Sequence, residues 1–450
     1  MRTFDLIVIG GGSGLSVSSA AAAKGMKVAV VEEGPLGGTC LNRGCIPSKM
    51  LIHAADVAET ISTSGKFGIA AKYQKIDFPR LVRHVSSVID ADARMIEKGN
   101  RSNKNITLFR GTGRFIARKT LQVGNQAITA EKIVIAAGTR PLVPPIPGLD
   151  KVKYLTSTEA LRLSRQPKSI IMIGGGYISC ELAHFFGALG TKVTIIEFMD
   201  RLVGNEDAEV AAAFTREFSK RYTVLLGFKA VQAAKKGKGI EVTAQKGNVQ
   251  KKLSAEELLV AVGRIPNTDI LDVGKTGVKM TPKGYVQVDE HLQTSVPGIW
   301  ALGDIAGNYF FKHSANLEAQ YVWWNLSGHA AAVDYTAMPH AIFSSPQIAG
   351  VGYTEQELQQ KGIAYRKAIG YYKDVAMGLA FRDTTSFVKA LASPDGRILG
   401  CHIMGPEAST LIHEVVVAMK NGGNVKDITG AVHVHPALPE IVQRTFLKVR

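Results

Sequence analysis

The sequence predicts an α/β fold: two open, largely parallel βαβ units, one inserted into the other, followed by a C-terminal α+β module. Three observations carry this. A glycine-rich strand–turn–helix pattern occurs twice, as FDLIVIGGGSG at 4–14 and SIIMIGGGYIS at 169–179. A second echo follows each copy. IVIAAGTRPLVPPIPG (133–148) and LLVAVGRIPNT (258–268) are apolar strands that run into Gly and Arg, with prolines beyond. After about residue 335 the pattern changes to the alternating strands AIFSSP, SFVKALAS and RILGCHIMG, with a helix at 408–421.

Each glycine-rich copy continues through a small-residue helix into a second strand that ends in an acid. These strands are KVAVVE, ending at Glu32, and KVTIIE, ending at Glu197. An acid about 20 residues past the glycines is where a dinucleotide fold places its ribose-binding carboxylate. Gly10, Gly12 and Gly14 in the first copy, and Gly174 and Gly176 in the second, let the backbone approach a pyrophosphate at the positive end of a helix. A pair of ordinary tight turns does not account for the acids. The third fingerprint position is Leu15 in one copy and Ser179 in the other, which changes helix–strand packing more than phosphate contact. Both units therefore read as Rossmann-like. The expected organisation is 1–145, an insert at 146–266, a return at 267–335, and the α+β module at 336–450. The proline-rich 141–147 stretch serves as a linker.

Composition narrows the class. A chain of 450 residues, 46% hydrophobic and 20% charged, suits a soluble globular protein of two to four domains. No apolar run reaches the roughly 18 residues of a membrane span. MRTFDLIVIG enters a strand at once, with Asp5 inside it, so no signal peptide is expected. Four cysteines argue against a secreted disulfide scaffold, and a cytoplasmic location is expected. The net charge of +16 is scattered. Its densest runs, KKGKG at 235–239 and KGNVQKK at 246–252, read as hairpin tips without interleaved aromatics. A solvated positive surface is expected, with an acidic protein partner as the second reading and no nucleic-acid partner.

GGTCLNRGCIPSK (37–49) sets Cys40 and Cys45 five positions apart. A structural bridge, half a zinc site and a redox pair are all open on spacing alone. With two nucleotide folds flanking these cysteines, the sequence resembles the FAD-dependent pyridine-nucleotide disulfide reductases over its whole length. The carriers are GGTCLNRGCIPSK, the paired fingerprints, ALGD at 301–304 and HVHPALPE at 433–440. The resemblance implies an FAD domain, an NAD(P) insert, a central domain and a dimerisation domain, hence a homodimer. Zinc needs about four ligands, and Cys180 and Cys401 offer no second matching spacing. A bridge over so few residues constrains little of the unfolded chain. A redox pair beside a flavin fits better.

Residue by residue, the resemblance implies Cys45 over the flavin as the thiolate and Cys40 facing the substrate. The helix after Cys45 lowers thiolate pKa through its N-terminal dipole. Lys49 reaches the flavin and pairs with Glu181, and Tyr177 covers the nicotinamide side. Asp304 holds the ribityl chain. Gly10, Gly12, Gly14, Glu32, Gly38, Thr39, Gly113 and Gly138 complete the FAD set. Gly174, Gly176, Tyr177, Glu181, Glu197 and Gly263 form the NAD set. In HVHPALPE, His435 matches the acid–base of an HPxxxE motif, oriented by Glu440 and serving the partner subunit's cysteines. His433 is the lesser candidate. Cys180 and Cys401 read as small buried hydrophobes. No metal site is expected.

Glu197 stands where NADP-using relatives carry arginine, and Val203 where a second arginine would fall. In this the chain resembles dihydrolipoamide dehydrogenases, which implies protein-bound dihydrolipoyl groups as substrate and NAD⁺ as acceptor. FFKHSANLEA and HPALPE also resemble mycothione reductase, whose substrate is a small-thiol disulfide. A third class, an inactive flavoprotein subunit of a larger complex, is opposed by the intact Cys pair, Lys49–Glu181 and His435–Glu440.

Overall fold

The computed structural model describes residues 1–449. Strands Arg2–Ile9 and Val28–Glu32, joined by helix Gly14–Ala23, pair in parallel with Val8 opposite Val30. Ile106–Arg110 extends that edge, and Gln126–Ile135 flanks the first strand on its other side. Ile299–Ala301 returns much later to pair in parallel with the end of Gln126–Ile135. Thr120–Val123 and Gly113–Ala117 close the seven-stranded sheet as an antiparallel meander. Residues 6–9 and 28–31 are all buried, the run expected of parallel strands covered on both faces.

The second unit repeats the plan. Thr223–Leu226, Lys192–Glu197, Ser169–Ile173 and Glu257–Val260 form a four-stranded parallel sheet in that order. Beside it, Lys229–Lys236, Gly239–Lys246 and Val249–Ala255 make an antiparallel sheet. The basic runs fall at its two hairpin turns, the second continuing into the exposed Val249–Ala255 strand. The chain leaves the first unit through Thr139–Pro141 and returns through Arg264–Pro266. These two segments pair antiparallel, Arg140 opposite Ile265.

In the C-terminal module, Pro339–Ile342, Ile348–Gly352, Ile398–Met404, Phe387–Ala392 and Arg366–Tyr371 form one antiparallel sheet in that order. Helices Ala408–Lys420 and Pro439–Leu447 share a core with it through Leu411, Val415, Ile441 and Phe446. Every residue of the two central strands is buried, Lys389 included. Its ammonium is compensated by Asp207 at 2.9 and 3.0 Å and Glu355 at 2.6 Å, as a charge taken out of water requires. Asp207 belongs to the second unit, so this buried pair joins that unit to the module.

Candidate active site

Cys40 lies in the short helix Gly38–Arg43, and Cys45 is the first residue of helix Cys45–Thr63, directly after Gly44. Both are unbonded, Cys40 half-buried and Cys45 exposed. The two thiols do not behave alike. Cys45 is pulled down to about 7, first by the hydrogen bond from Cys40 and then, against its burial, by the Lys49 ammonium. Cys40 is pushed far above the ordinary thiol range by giving that hydrogen bond and by burial. Cys45 is therefore the built thiolate, at a helix N-terminus where the dipole favours negative charge.

Lys49 stands one turn into the same helix. Its Nζ contacts both oxygens of Glu181 at 2.9 and 2.8 Å and lies 4.6 Å from the Phe343 ring centroid. Glu181 is buried and also accepts the Phe343 N–H at 3.0 Å. It sits one turn after Tyr177, the first residue of helix Tyr177–Ala188, whose side chain is exposed. Farther along the same two helices, His184 Nε2 is 2.7 Å from Asp56, and Glu59 pairs with Arg221 at 2.8 Å. Asp56, Glu59 and His184 bring potential ligand atoms within 4.8 Å of one another. With Glu59 held by a guanidinium and His184 already bonded, the cluster acts as a second clip between the helices.

The two glycine loops are built alike. Gly10 (φ 110°) and Gly174 (φ 102°) turn at the strand ends, where a Cβ would fall 2.3 Å from Ala136 O and 2.4 Å from Ala261 O. Gly14 supplies the close helix–strand approach expected of the third fingerprint position, one residue early: its Cβ would meet Val8 and Ala136 at 2.8 and 2.9 Å. Glu32 accepts the N–H groups of Gly11 at 2.6 Å and Gly34 at 2.7 Å. Glu197 repeats this with the N–H groups of Gly175 and Met199, the latter at 2.7 Å. Gly12 faces Gly38, and Gly176 faces open space, with Thr39 exposed beside Gly38. Gly113, by contrast, lies in a strand where Leu121 and Val31 take up its Cβ space, so packing accounts for that glycine.

Asp304 belongs to a helical turn at Gly303–Ile305 and accepts Thr139 Oγ1 at 2.8 Å. Arg264 donates to Thr139 Oγ1 and to Thr139 O, each at 2.7 Å. Gly138 and Gly263 flank these crossing segments, where Asn267 N–H reaches Gly138 O and Leu142 N–H reaches Gly263 O. The crossings between the two units therefore carry the polar groups that hold Asp304.

His435 projects from the segment before helix Pro439–Leu447, its side chain 67% exposed. Nδ1 is 3.0 Å from Glu440 Oε1, and Glu440 Oε2 accepts the Ala437 N–H at 3.1 Å. The His435 bond first, then that N–H, holds the Glu440 carboxyl below its usual range. With Nδ1–H donating to the carboxylate, Nε2 is the free accepting nitrogen. His433 is instead tied to Glu414 at 2.8 Å with its side chain 8% exposed, which removes it as a base. Among the described residues, the side-chain hydrogen bonding of His435 ends at Glu440.

Residues 4–322 match the pyridine nucleotide-disulphide oxidoreductase model, and residues 338–446 match that family's dimerisation domain. The chain belongs to this family. Mycothione reductase of Mycobacterium tuberculosis is 37% identical, with 100% of both chains covered. Dihydrolipoyl dehydrogenase of Geobacillus stearothermophilus is also 37% identical, over 97% of this chain and 94% of that one. The HOCl-induced flavoprotein disulfide reductase RclA from Escherichia coli superposes with a TM-score of 0.88 at 27% identity, over 99% and 100% of the two chains.

As a disulfide oxidoreductase of this family the protein binds FAD and a pyridine nucleotide, and its residues fit both. The first loop leaves Gly12 with only the Gly38 Cα near, at 3.7 Å from an added Cβ, so a pyrophosphate can approach the backbone. The second leaves Gly176 open in the same way. The recurrence of one carboxylate-braced loop in both units accounts for two dinucleotides. No helix among the described residues is long and apolar enough to cross a membrane. Sequence reasoning missed Thr139 and Arg264. The repeated strand–Gly–Arg echo was the available signal for the Arg264 crossing.

Proposed function

We propose that the protein is an NAD-linked dihydrolipoyl dehydrogenase that oxidises protein-bound dihydrolipoyl groups through Cys40, Cys45 and FAD. In this reading residues 1–145 and 267–335 hold FAD, 146–266 hold NAD, and 336–450 form the interface of a homodimer. The observation that carries the reading is Glu197. Its carboxylate is buried and fixed by two backbone N–H groups, at the strand end where a dinucleotide fold meets the adenosine ribose. A fixed negative charge accepts hydrogen bonds from a ribose diol and repels a 2′-phosphate. The nearest arginine in sequence, Arg201, is already paired with Asp200 at 2.8 Å.

In the oxidising direction Cys40 and Cys45 start as a disulfide. His435 Nε2 takes a proton from the substrate dithiol, and the resulting thiolate attacks the Cys40 sulfur. The Cys40–Cys45 bond breaks and Cys45 leaves as a thiolate, stabilised by Lys49 and the helix N-terminus. The second substrate thiol, releasing its proton to solvent, displaces Cys40, which leaves as a thiol by taking the proton held on His435; the substrate disulfide closes and the electron pair stays on the cysteines. FAD, when bound, would supply the two-electron chemistry that links the reduced cysteines to the pyridine nucleotide. Lys49, paired with Glu181, would offer a bound flavin a cation that stabilises negative charge on its reduced form.

The net charge of +16 supports docking of an acidic carrier domain, with an association that weakens as salt rises. The test is NAD⁺ reduction by dihydrolipoamide, set against NADH oxidation by mycothiol-type and glutathione-type disulfides. Brisk dihydrolipoamide turnover is expected. Negligible dihydrolipoamide activity beside fast reduction of a small-thiol disulfide would reject the substrate. It would leave the second reading, a small-thiol disulfide reductase, which the end-to-end similarity to mycothione reductase favours. Nucleotide choice is a separate measurement. NADH should exceed NADPH in kcat/KM by at least about tenfold, a difference of about 1.4 kcal/mol. Equal efficiencies would remove Glu197 from its role.

A further inference from the structure

Lys312 opens helix Lys312–Leu326, and none of the roles described above uses it. Its half-buried ammonium donates to Ser13 Oγ at 2.8 Å, and Ser13 Oγ donates to Asn316 Oδ1 at 3.0 Å. No carboxylate pairs with Lys312 among the described residues, whereas the other lysine of the site, Lys49, has Glu181. Ser13 follows Gly12, and Gly12 packs against Gly38, two residues before Cys40. The Gly37 N–H also bonds Gly11 O at 2.8 Å. The tether therefore sets an uncompensated cation beside the cysteine loop.

We propose that Lys312 is a positioning cation of the redox pair: anchored by Ser13 to the glycine-rich loop, it faces Cys40 and Cys45 and stabilises the thiolate of their reduced form. The electrostatics agree. Burial pulls Lys312 below the ordinary lysine range while the two sulfurs oppose that fall, and Lys312 in turn works against the rise of the Cys40 thiol. The counter-charge missing from the resting chain is the one that forms when the disulfide accepts two electrons. Lys49 shares its charge with Glu181, so Lys312 supplies a field that no fixed acid cancels.

The inference rests on the reading of Cys40–Cys45 as the redox pair, and its test is separate from turnover. The FAD-loaded protein, reduced anaerobically with dithiothreitol and desalted, is alkylated with iodoacetamide across pH 5–9, and modification of Cys40 and Cys45 is followed by mass spectrometry. Lys312→Met should slow alkylation near neutrality at least fivefold and move its pH midpoint upward, because losing a cation raises thiol pKa. Lys312→Arg should restore most of the rate. Ser13→Ala, which frees the tether and keeps the charge, should give an intermediate rate. If Lys312→Met does not fold, Lys312→Gln takes its place with the same readout. Alkylation within twofold of the unaltered protein, at an unchanged midpoint, would overturn the proposal. So would loss of FAD from the Lys312 variant with thiol reactivity unchanged, which would assign the lysine to the phosphates. Retained turnover in both single-cysteine variants would instead reject the redox pair itself.

Discussion

Cys45→Ser is expected to lower disulfide turnover by about three powers of ten or more, a loss of about 4 kcal/mol in transition-state stabilisation. A serine hydroxyl can neither close a disulfide nor hold the electron pair, so the effect has no partial form. The geometry makes the two cysteine variants distinguishable. Cys45 begins its helix, receives the Cys40 hydrogen bond and lies near Lys49, and these bring its thiol to about 7. The two-electron-reduced protein should therefore show a long-wavelength thiolate-to-flavin band that grows as pH rises through about 7. Cys45→Ser should abolish the band. Cys40→Ser should lose turnover to a similar degree yet keep the band, because a serine hydroxyl can still donate to Cys45. Anaerobic titration followed by absorbance checks both statements. Normal disulfide turnover in both variants would remove the cysteines from the reaction.

That the cysteine pair could be read from the sequence reflects how local its chemistry is. GGTCLNRGCIPSK carries both thiols, Gly44 before the helix, and Lys49 one turn along. The strand–glycine–helix–acid units were legible for the same reason, since Glu32 and Glu197 brace loops only about 20 residues away. What stayed hidden is non-local. Asp304 was legible, but Thr139 and Arg264, which hold it, come from segments that meet only because the inserted unit leaves and returns along one pair of strands. Lys312 is an ordinary lysine until Ser13, 299 positions earlier, accepts its hydrogen bond. Gly14 was counted as a phosphate glycine, yet its strict constraint is packing on Val8 and Ala136. In the C-terminal module, Ile348–Gly352 reads IAGVG and Arg366–Tyr371 reads RKAIGY. Internal glycines weaken both strand patterns; partners on both sides order the first, and Phe387–Ala392 on one side with helix Pro439–Leu447 packed against it orders the second.

His435→Gln should lower turnover by about 10²–10⁴-fold, the range for losing a positioned acid–base group. Activity should return when that chain is paired with a Cys45→Ser chain. His435 Nδ1 is spent on Glu440, its ring is largely exposed, and among the described residues no hydrogen bond links it to the cysteines of its own chain. The neighbouring Val432 and Val434 are also exposed, as apolar side chains are when a second subunit covers them. This segment lies in the matched dimerisation domain, whereas the cysteines lie in the first βαβ unit. A two-fold axis would place each chain's imidazole at the other's thiols, so every site would need two chains. Equal mixing of the two variants under exchange conditions makes half of the dimers mixed. Each mixed dimer has one site with both residues intact and one with neither, so recovery to about a quarter of the unaltered activity is expected by that symmetry. Tagging the chains differently and isolating the mixed dimer checks the count, since that species alone should reach about half. A stable mixed dimer with no recovered activity would show that each chain supplies its own base. Glu440→Gln serves as the graded companion. It keeps a hydrogen-bond acceptor for Nδ1 but removes the carboxylate charge that orients the ring, so its turnover should fall between those of the unaltered protein and His435→Gln.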